Sequence, residues 1–381
     1  MFLLDISTVP NQLLKIAFAL SMVLLLISGF QSDHSSVMFE TQTIDDSIEI
    51  GYGLAIGDVD GDGKDDILLA DKKQFVWYRN GDWKRFVMVE NLTERDNVCI
   101  AARDIDGDGT VEVAVGAQWN PGETNDPEKS GSVHYLIPPT DPTEKWESVE
   151  LPHVPTVHRM RWVRTPIGYQ LVMLPLHGIG NKDGEGEGVK VMGYLMNDND
   201  PEAEWTVTVI DQSMHLTHNF EVRDTGGPES LIIGGKEGAK RVTYGRKGWS
   251  KVKHIIDGHG FGEIRANQNF VVGIQPMHGN ELVLYNQKGV RKVLDDNMAQ
   301  GHALALGDLL STGQDQIVVG WRNENEEGQL GIKIFASKDS NWNAWDEQWI
   351  VKNGMACEDL KLADLDQDGR REISAAGRRT K

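Results

Sequence analysis

One pattern recurs four times and decides what this chain can fold into: a short apolar run, a turn dense in Asp and Gly, and a second short apolar run. Ala55–Leu69 reads Ala-Ile-Gly-Asp-Val-Asp-Gly-Asp-Gly-Lys-Asp-Asp-Ile-Leu-Leu. The same frame returns without gaps at Ala101–Val115 and Lys361–Ala375. A fourth copy, Ala305–Val319, keeps the apolar frame and loses most of its carboxylates. Apolar runs this short, bounded by Gly and Asp, read as paired strands rather than helices.

Weaker copies fill the intervals at Val157–Leu174, Leu216–Gly234 and Phe261–Gln275. In several units a third apolar run follows, such as Phe75-Val-Trp-Tyr or Val133-His-Tyr-Leu, and then a fourth beginning near a Trp. Unit starts near residues 53, 99, 157, 216, 260, 302 and 357 give seven repeats of roughly 40 to 55 residues, the period of four-stranded propeller blades. The expected fold is therefore all-β, a seven-bladed β-propeller spanning residues 36–381, with an open solenoid as the structural alternative. The last unit has only two strands, so an outer strand from Met38–Ile44 is expected to complete it and close the ring, removing free edges.

Lys15 and the apolar run Ile16–Phe30 are too short for a comfortable membrane span of about 20 residues and suit the core of a signal peptide or an N-terminal membrane anchor. Residues 1–35 are accordingly placed outside the fold, and export to a periplasmic, cell-surface or secreted location is expected. Lys and Arg total 38 against 58 acidic residues, a formal charge of -20. A nucleic-acid partner needs a basic stripe, and none is visible. Two cysteines, Cys99 and Cys357, permit at most one disulfide and exclude a four-thiolate zinc site; two buried free thiols are expected.

The acidic turns suit calcium. Asp58, Asp60 and Asp62 alternate, Gly63 permits the turn, and Asp66 follows; the same offsets give Asp104, Asp106, Asp108 and Glu112, then Asp364, Asp366, Asp368 and Glu372. Calcium takes six to eight oxygens at about 2.3 to 2.6 Å, which alternating carboxylates on a curled loop can supply. Asp also makes such turns without metal, but crowding four carboxylates without a cation costs repulsion. Ca2+ in a structural role is the expectation.

In such a blade the hairpin between strands one and two points to one end of the ring, so residues before strand one and after strand two gather at the other. Before strand one stand Tyr52, Asn97, His158, His218, His302 and Glu358; after strand two stand Trp119, His177, Lys236, His278 and Arg322. The insertions 119–131 and 178–188 should overhang the same face. The Gly-rich 178–188 lacks the strand-to-helix context of a phosphate loop. Three readings of the histidines stay open: a second divalent metal such as Zn2+ or Mg2+, general acid and base chemistry, or satisfaction of strand-end backbone groups.

The Asp-x-Asp-Gly-Asp-Gly frame resembles FG-GAP or VCBS-type repeats, which implies a calcium-binding propeller and also occurs in adhesion proteins. Pro175-Leu-His177-Gly, His218-Asn-Phe, Pro276-Met-His278-Gly, Gly320-Trp-Arg322-Asn, Ala356-Cys-Glu-Asp-Leu and Ala376-Gly-Arg378 resemble the propeller domain of aldos-2-ulose dehydratases. They resemble, more distantly, lyases acting on rhamnose-glucuronate linkages. That resemblance implies a carbohydrate substrate and a β-elimination on a ulose or uronate sugar. It implies His177 as base, His278 as acid for the leaving oxygen, and Arg322 and Lys236 on the enolate or carboxylate. His218 and His158 would help bind metal or substrate, and Trp119, His302, Glu358 and Arg378 would line the sugar site. A non-catalytic surface propeller binding a ligand or glycan is the alternative.

Overall fold

The computed structural model describes residues 1–6 and 37–378. Seven four-stranded antiparallel sheets follow one another around a ring, and the only helical element among the described residues is a single turn at Pro127–Lys129. Blades 1 to 6 occupy residues 53–90, 99–151, 157–211, 217–257, 264–295 and 301–352, each a meander whose first strand is innermost. The inner strands Gly53–Gly57, Cys99–Arg103, Val157–Thr165, Thr217–Arg223, Ile264–Ala266, Gly301–Gly307 and Ala356–Ala363 each lie against the next, and the last lies against the first.

Blade 7 corrects the expected N-terminal boundary. Its inner strands are Ala356–Ala363 and Glu372–Arg378; its third is Phe2–Ile6, and its outermost is Phe39–Thr43. Two N-terminal strands, not one, complete the ring. The physical reason is the exposed edge of Glu372–Arg378: a strand at Phe39–Thr43 alone would leave the blade one strand short, and Phe2–Ile6 fills that place with Leu4 fully buried. The apolar run Ile16–Phe30 lies outside the described residues. Among the described residues no helix is long and apolar enough to cross a membrane.

Packing explains the sequence pattern. A second strand is sandwiched between neighbouring blades on both faces, so it needs a nearly continuous apolar run, as in Ile67-Leu-Leu-Ala and Leu231-Ile-Ile. Seven apolar clusters result, one at each blade junction; that between blades 2 and 3 joins Cys99, Tyr135, Met160, Trp162, Met173 and Trp205. Small residues set the blade spacing. A Cβ on Gly116 would sit 2.7 Å from Cys99 Sγ, and one on Gly320 would sit 2.7 Å from Cys357 Sγ. Both cysteines are buried free thiols, as expected.

Candidate functional site

The inner strands of blades 3, 4, 6 and 7 share a defect that the sequence pattern did not show. Their ladders run in register except for one residue near the strand start: Val157 pairs Pro175 and Arg159 pairs Leu174, Thr217 pairs Gly235 and Asn219 pairs Gly234. Gly301 pairs Trp321 and Ala303 pairs Gly320, while Cys357 pairs Gly377 and Asp359 pairs Ala376. The skipped residues are His158, His218, His302 and Glu358. A bulge leaves one residue outside the ladder and re-aims its side chain. In blade 5, Gly262 N–H bonds Ile274 O and Ile274 N–H bonds Glu263 O, so Gly262 takes the place of the skipped residues and offers no side chain there. Blades 1 and 2 pair without interruption here and contribute no imidazole.

The bulges build a relay between blades. His158 Nδ1 lies 2.7 Å from His218 O, His218 Nδ1 3.0 Å from Gly262 O, and His302 Nδ1 2.7 Å from Glu358 O. A carbonyl only accepts, so each Nδ1 carries the hydrogen and each Nε2 keeps its lone pair. Arg159 agrees with this assignment, since its guanidinium donates to His158 Nε2 at 3.3 Å. His278 approaches from the end of blade 5 with φ of +52°, a conformation unusual without glycine, and its Nε2 stands 2.6 Å from His218 Nε2. With the His218 lone pair at Nε2, His278 is the donor of that bond.

Four imidazoles therefore meet at one mouth of the channel. Ring centroids lie 4.4 Å apart for His158 and His218, 4.5 Å for His218 and His278, and 5.1 Å for His278 and His302. One ring nitrogen from each of His218, His278 and His302 falls within 4.8 Å of the others, a set able to hold a divalent metal. Burial, followed by nearby guanidiniums and imidazoles, pushes His158 and His302 far below the usual histidine range and lowers His278 to about 2. His218 is lowered as well, by burial first. The rings are thus neutral at physiological pH, the protonation state a metal ligand requires.

Cations and two carboxylates frame the group, and Glu263 lies 3.5 Å from His218 Nδ1. Glu358, 1% exposed, accepts from Arg378 Nε and lies 3.4 Å from Arg322 and 3.2 Å from His302 Nδ1. Arg322 also donates to Gln300 Oε1 at 2.7 Å. Trp119 stands 5.1 Å from the His158 ring, and the loop it opens touches the second insertion through Gly180 N–H and Thr124 O.

Two expected participants sit elsewhere on the same face. The His177 ring lies beside Asn181 and Asp183 and makes no ring contact with the four clustered imidazoles. Lys236 reaches Asp183 O, Gly184 O and Glu185 Oε1 at 3.2 to 3.4 Å, so it ties down the 178–188 insertion. Both are strand-end residues by chain order, and the insertion between them claims them. Tyr52 and Asn97 bond Asp96 and Asp71 O, in structural roles. Conversely, Arg159, Glu263 and Arg265 were not anticipated. The alternation His158-Arg-Met-Arg-Trp162 in a channel-lining strand is the signal that could have found the arginines.

The acidic turns occupy the opposite ends of the inner strands. Asp58, Asp60 and Asp62 converge, as do Asp104, Asp106 and Asp108, and Asp364, Asp366 and Glu372. The residue closing each turn has a second task. Asp66, Glu112 and Glu372 accept from the N–H of Val59, Ile105 and Leu365 at 2.9, 2.7 and 2.7 Å. In the fourth turn Gln316 Oε1 does the same for Leu309 at 2.8 Å. Asp66 stands outside the converging trio Asp58, Asp60 and Asp62, and its other oxygen accepts from Asn80 N–H at 2.7 Å. Asp368 is held by Arg370.

The fold and these turns define the class: a seven-bladed propeller of four-stranded blades carrying an FG-GAP-like repeat, whose family model matches residues 58–115. A chain from the crystal structure of the mitotic checkpoint complex superposes with a TM-score of 0.54 at 10% identity, covering 96% of this chain and 99% of that one. A chain from the crystal structure of BBS1N in complex with ARL6DN, soaked with mercury, gives 0.52 at 11% identity, covering 88% and 95%. At such identities the likeness is one of fold. No curated protein matches this chain.

Proposed function

We propose that this propeller is a carbon–oxygen lyase that uses a divalent metal at the channel mouth to eliminate across a sugar bearing a carbonyl or carboxylate. The observation that carries the reading is the convergence of His218, His278 and His302 beside guanidiniums and an aromatic face. Elimination transfers a proton next to the carbonyl to a base, the electron pair left on carbon expels the β-oxygen, and that oxygen takes a proton from solvent and leaves as alcohol or water. Negative charge gathers on the carbonyl or carboxylate oxygen meanwhile, and its stabilisation is the largest demand on such a site. A metal held by the three imidazoles would supply Lewis-acid character there, and the all-nitrogen donor set suits Zn2+ rather than the oxygen-seeking Mg2+.

The chain's own groups do the rest. Main-chain carbonyls fix the tautomers of His218 and His302 and leave their Nε2 atoms unprotonated, and a metal bound there would replace the His278–His218 hydrogen bond. Arg159 and Arg322 lie close enough to the imidazoles to depress their basicity and so to attract an anionic substrate group. Trp119 offers a face for a sugar ring. His177, on the rim beside Asn181 and Asp183 of the 178–188 insertion and outside the cluster, serves as base in this reading. Calcium in the turns around Asp58, Asp104 and Asp364 belongs to the same proposal, as a clamp on the far end of the blades. The test is to incubate the purified chain with 2-ulose sugars and uronate glycans, with and without chelator. The expected result is ultraviolet absorbance of a conjugated unsaturated product that chelation and His278→Ala both abolish. Tight metal binding with no product across the panel would refute catalysis.

A further inference from the structure

Below the imidazoles, the channel wall carries a second group of charges, of which the proposed reaction uses only Arg159. Arg159 and Arg161 come from blade 3, Glu221 from blade 4, Glu263 and Arg265 from blade 5, and Asp359 and Lys361 from blade 7. The carboxylates are already committed. Glu263 accepts from Asn219 Nδ2 at 2.8 and 2.6 Å and lies 3.3 Å from Arg265. Asp359 accepts from Leu54 N–H at 2.8 Å and from Lys361 Nζ at 2.6 Å, and Glu221 lies 3.8 Å from Arg265.

Four cations thus face three carboxylates, and the imbalance falls on blade 3. Arg161 NH1 donates to Met160 O at 3.2 Å, and its guanidinium lies 5.6 Å from the Phe220 ring centre. Among the described residues neither Arg159 nor Arg161 meets a carboxylate at ion-pair distance. Arg265 NH1 likewise turns to its own neighbour, Ile264 O, at 2.7 Å. Arg161, Arg265 and Lys361 each stand three residues along an inner strand from the equivalent tip positions His158, Gly262 and Glu358, so they share one level of the channel. A guanidinium taken out of bulk water without an anion is costly, and its planar fork retains donors matched to two oxygens of one oxyanion.

We propose that the central channel binds a small oxyanion, phosphate-like or carboxylate, between Arg161, Arg265 and Lys361, one level below the imidazole cluster. The three cations come from three blades, so a bound oxyanion bridges the inner wall in a chain whose overall charge is -20. Burial holds the Lys361 ammonium down near about 8, and an anion beside it would draw that proton affinity back up. The site is separate from the metal-capable trio, because none of its three cations hydrogen-bonds an imidazole.

The test is calorimetric titration of the full chain with inorganic phosphate, and separately with free glucuronate, in chloride-matched buffer. Saturable binding of either is expected, and the arm that binds identifies the source: phosphate a free anion, glucuronate a sugar carboxylate. Arg161→Met should raise the Kd by about tenfold or more, the loss of one charge-assisted contact. Lys361→Met, on a different blade, should do the same, so a folding failure in one variant leaves the other to decide. His278→Ala should leave phosphate binding intact. Absence of heat in both arms, equal binding in Arg161→Met or Lys361→Met, or loss of phosphate binding in His278→Ala would each overturn the assignment.

Discussion

Glu112 closes the second acidic turn, and its replacement by Gln is expected to stabilise the metal-free protein above neutral pH. Burial, reinforced by Asp106 and Asp108, raises its carboxyl from 4.5 to about 7 even though Ile105 N–H opposes the rise. A raised carboxyl contributes stability below its unfolded value and loses it as pH climbs to the folded value, here between 4.5 and about 7. Each pH unit across that window costs about 1.36 kcal/mol, so the full penalty is about 3.4 kcal/mol; halving for solvent screening of a partly exposed group leaves about 1.7 kcal/mol. Gln keeps the acceptor for Ile105 and removes the charge, as Gln316 already does for Leu309 in the fourth turn. With an unfolding entropy of about 2.1 cal/mol/K per residue, the gain is a Tm rise of about 2 °C. The assay is thermal unfolding in chelator at pH 5 and pH 8, comparing Glu112→Gln with the parent. The variant should gain at pH 8 and match the parent at pH 5. Added calcium should reverse the order at pH 8, since the parent alone offers the extra negative charge. A Glu112→Gln protein less stable than the parent at pH 8 in chelator would refute the claim that this carboxylate strains the empty turn.

Asp66→Asn should behave oppositely and lose about 1 to 3 kcal/mol in chelator, because both Asp66 oxygens accept backbone hydrogens and an amide can satisfy only one; the same unfolding scans decide it. His278→Ala should weaken Co2+ binding, followed by its visible absorption, by at least about 100-fold while calcium binding at the turns is unchanged. Gly116→Ala should cost about 1 to 3 kcal/mol by overpacking, and Cys99→Ala in the same chain should recover part of it by removing the sulfur a Cβ would meet. Cys99, its thiol pushed up to about 12 by burial, and Cys357, raised likewise, should resist a disulfide reagent in the native protein and react on denaturation.

Blade number and strand order were legible because a propeller repeats one local rule: apolar runs on both sides of a turn, at a fixed period. The acidic turns were legible as hairpin connections for the same reason, since Asp58, Asp104 and Asp364 each accept a glycine N–H within their own hairpin. The channel mouth was legible only in outline. Chain order alone places His158, His218, His302 and Glu358 at strand tips, and it places His177 and Lys236 there equally well. What separates the two sets is pairing between strands, a bulge in one case and an intervening insertion in the other, and single-residue slips leave no mark on an apolar frame. Phe2–Ile6 escaped notice because five residues next to an export-like segment carry too little periodicity to declare a partner.

The bulges also explain why the mouth and the turns can have different duties within one repeat. An uninterrupted inner strand, as in blades 1 and 2, ends in small or apolar residues that continue the junction packing, such as Gly53 and Cys99. Adding one residue rotates the tip out of that packing without disturbing the ladder below it, so blades 3, 4, 6 and 7 keep their apolar clusters and still offer a side chain to the axis. Each offered imidazole is then fixed by the main chain of the following blade, which makes the geometry of the mouth depend on ring closure. A loosened closing blade should therefore blunt metal binding at His302 first, since its Nδ1 rests on the Glu358 carbonyl of that blade.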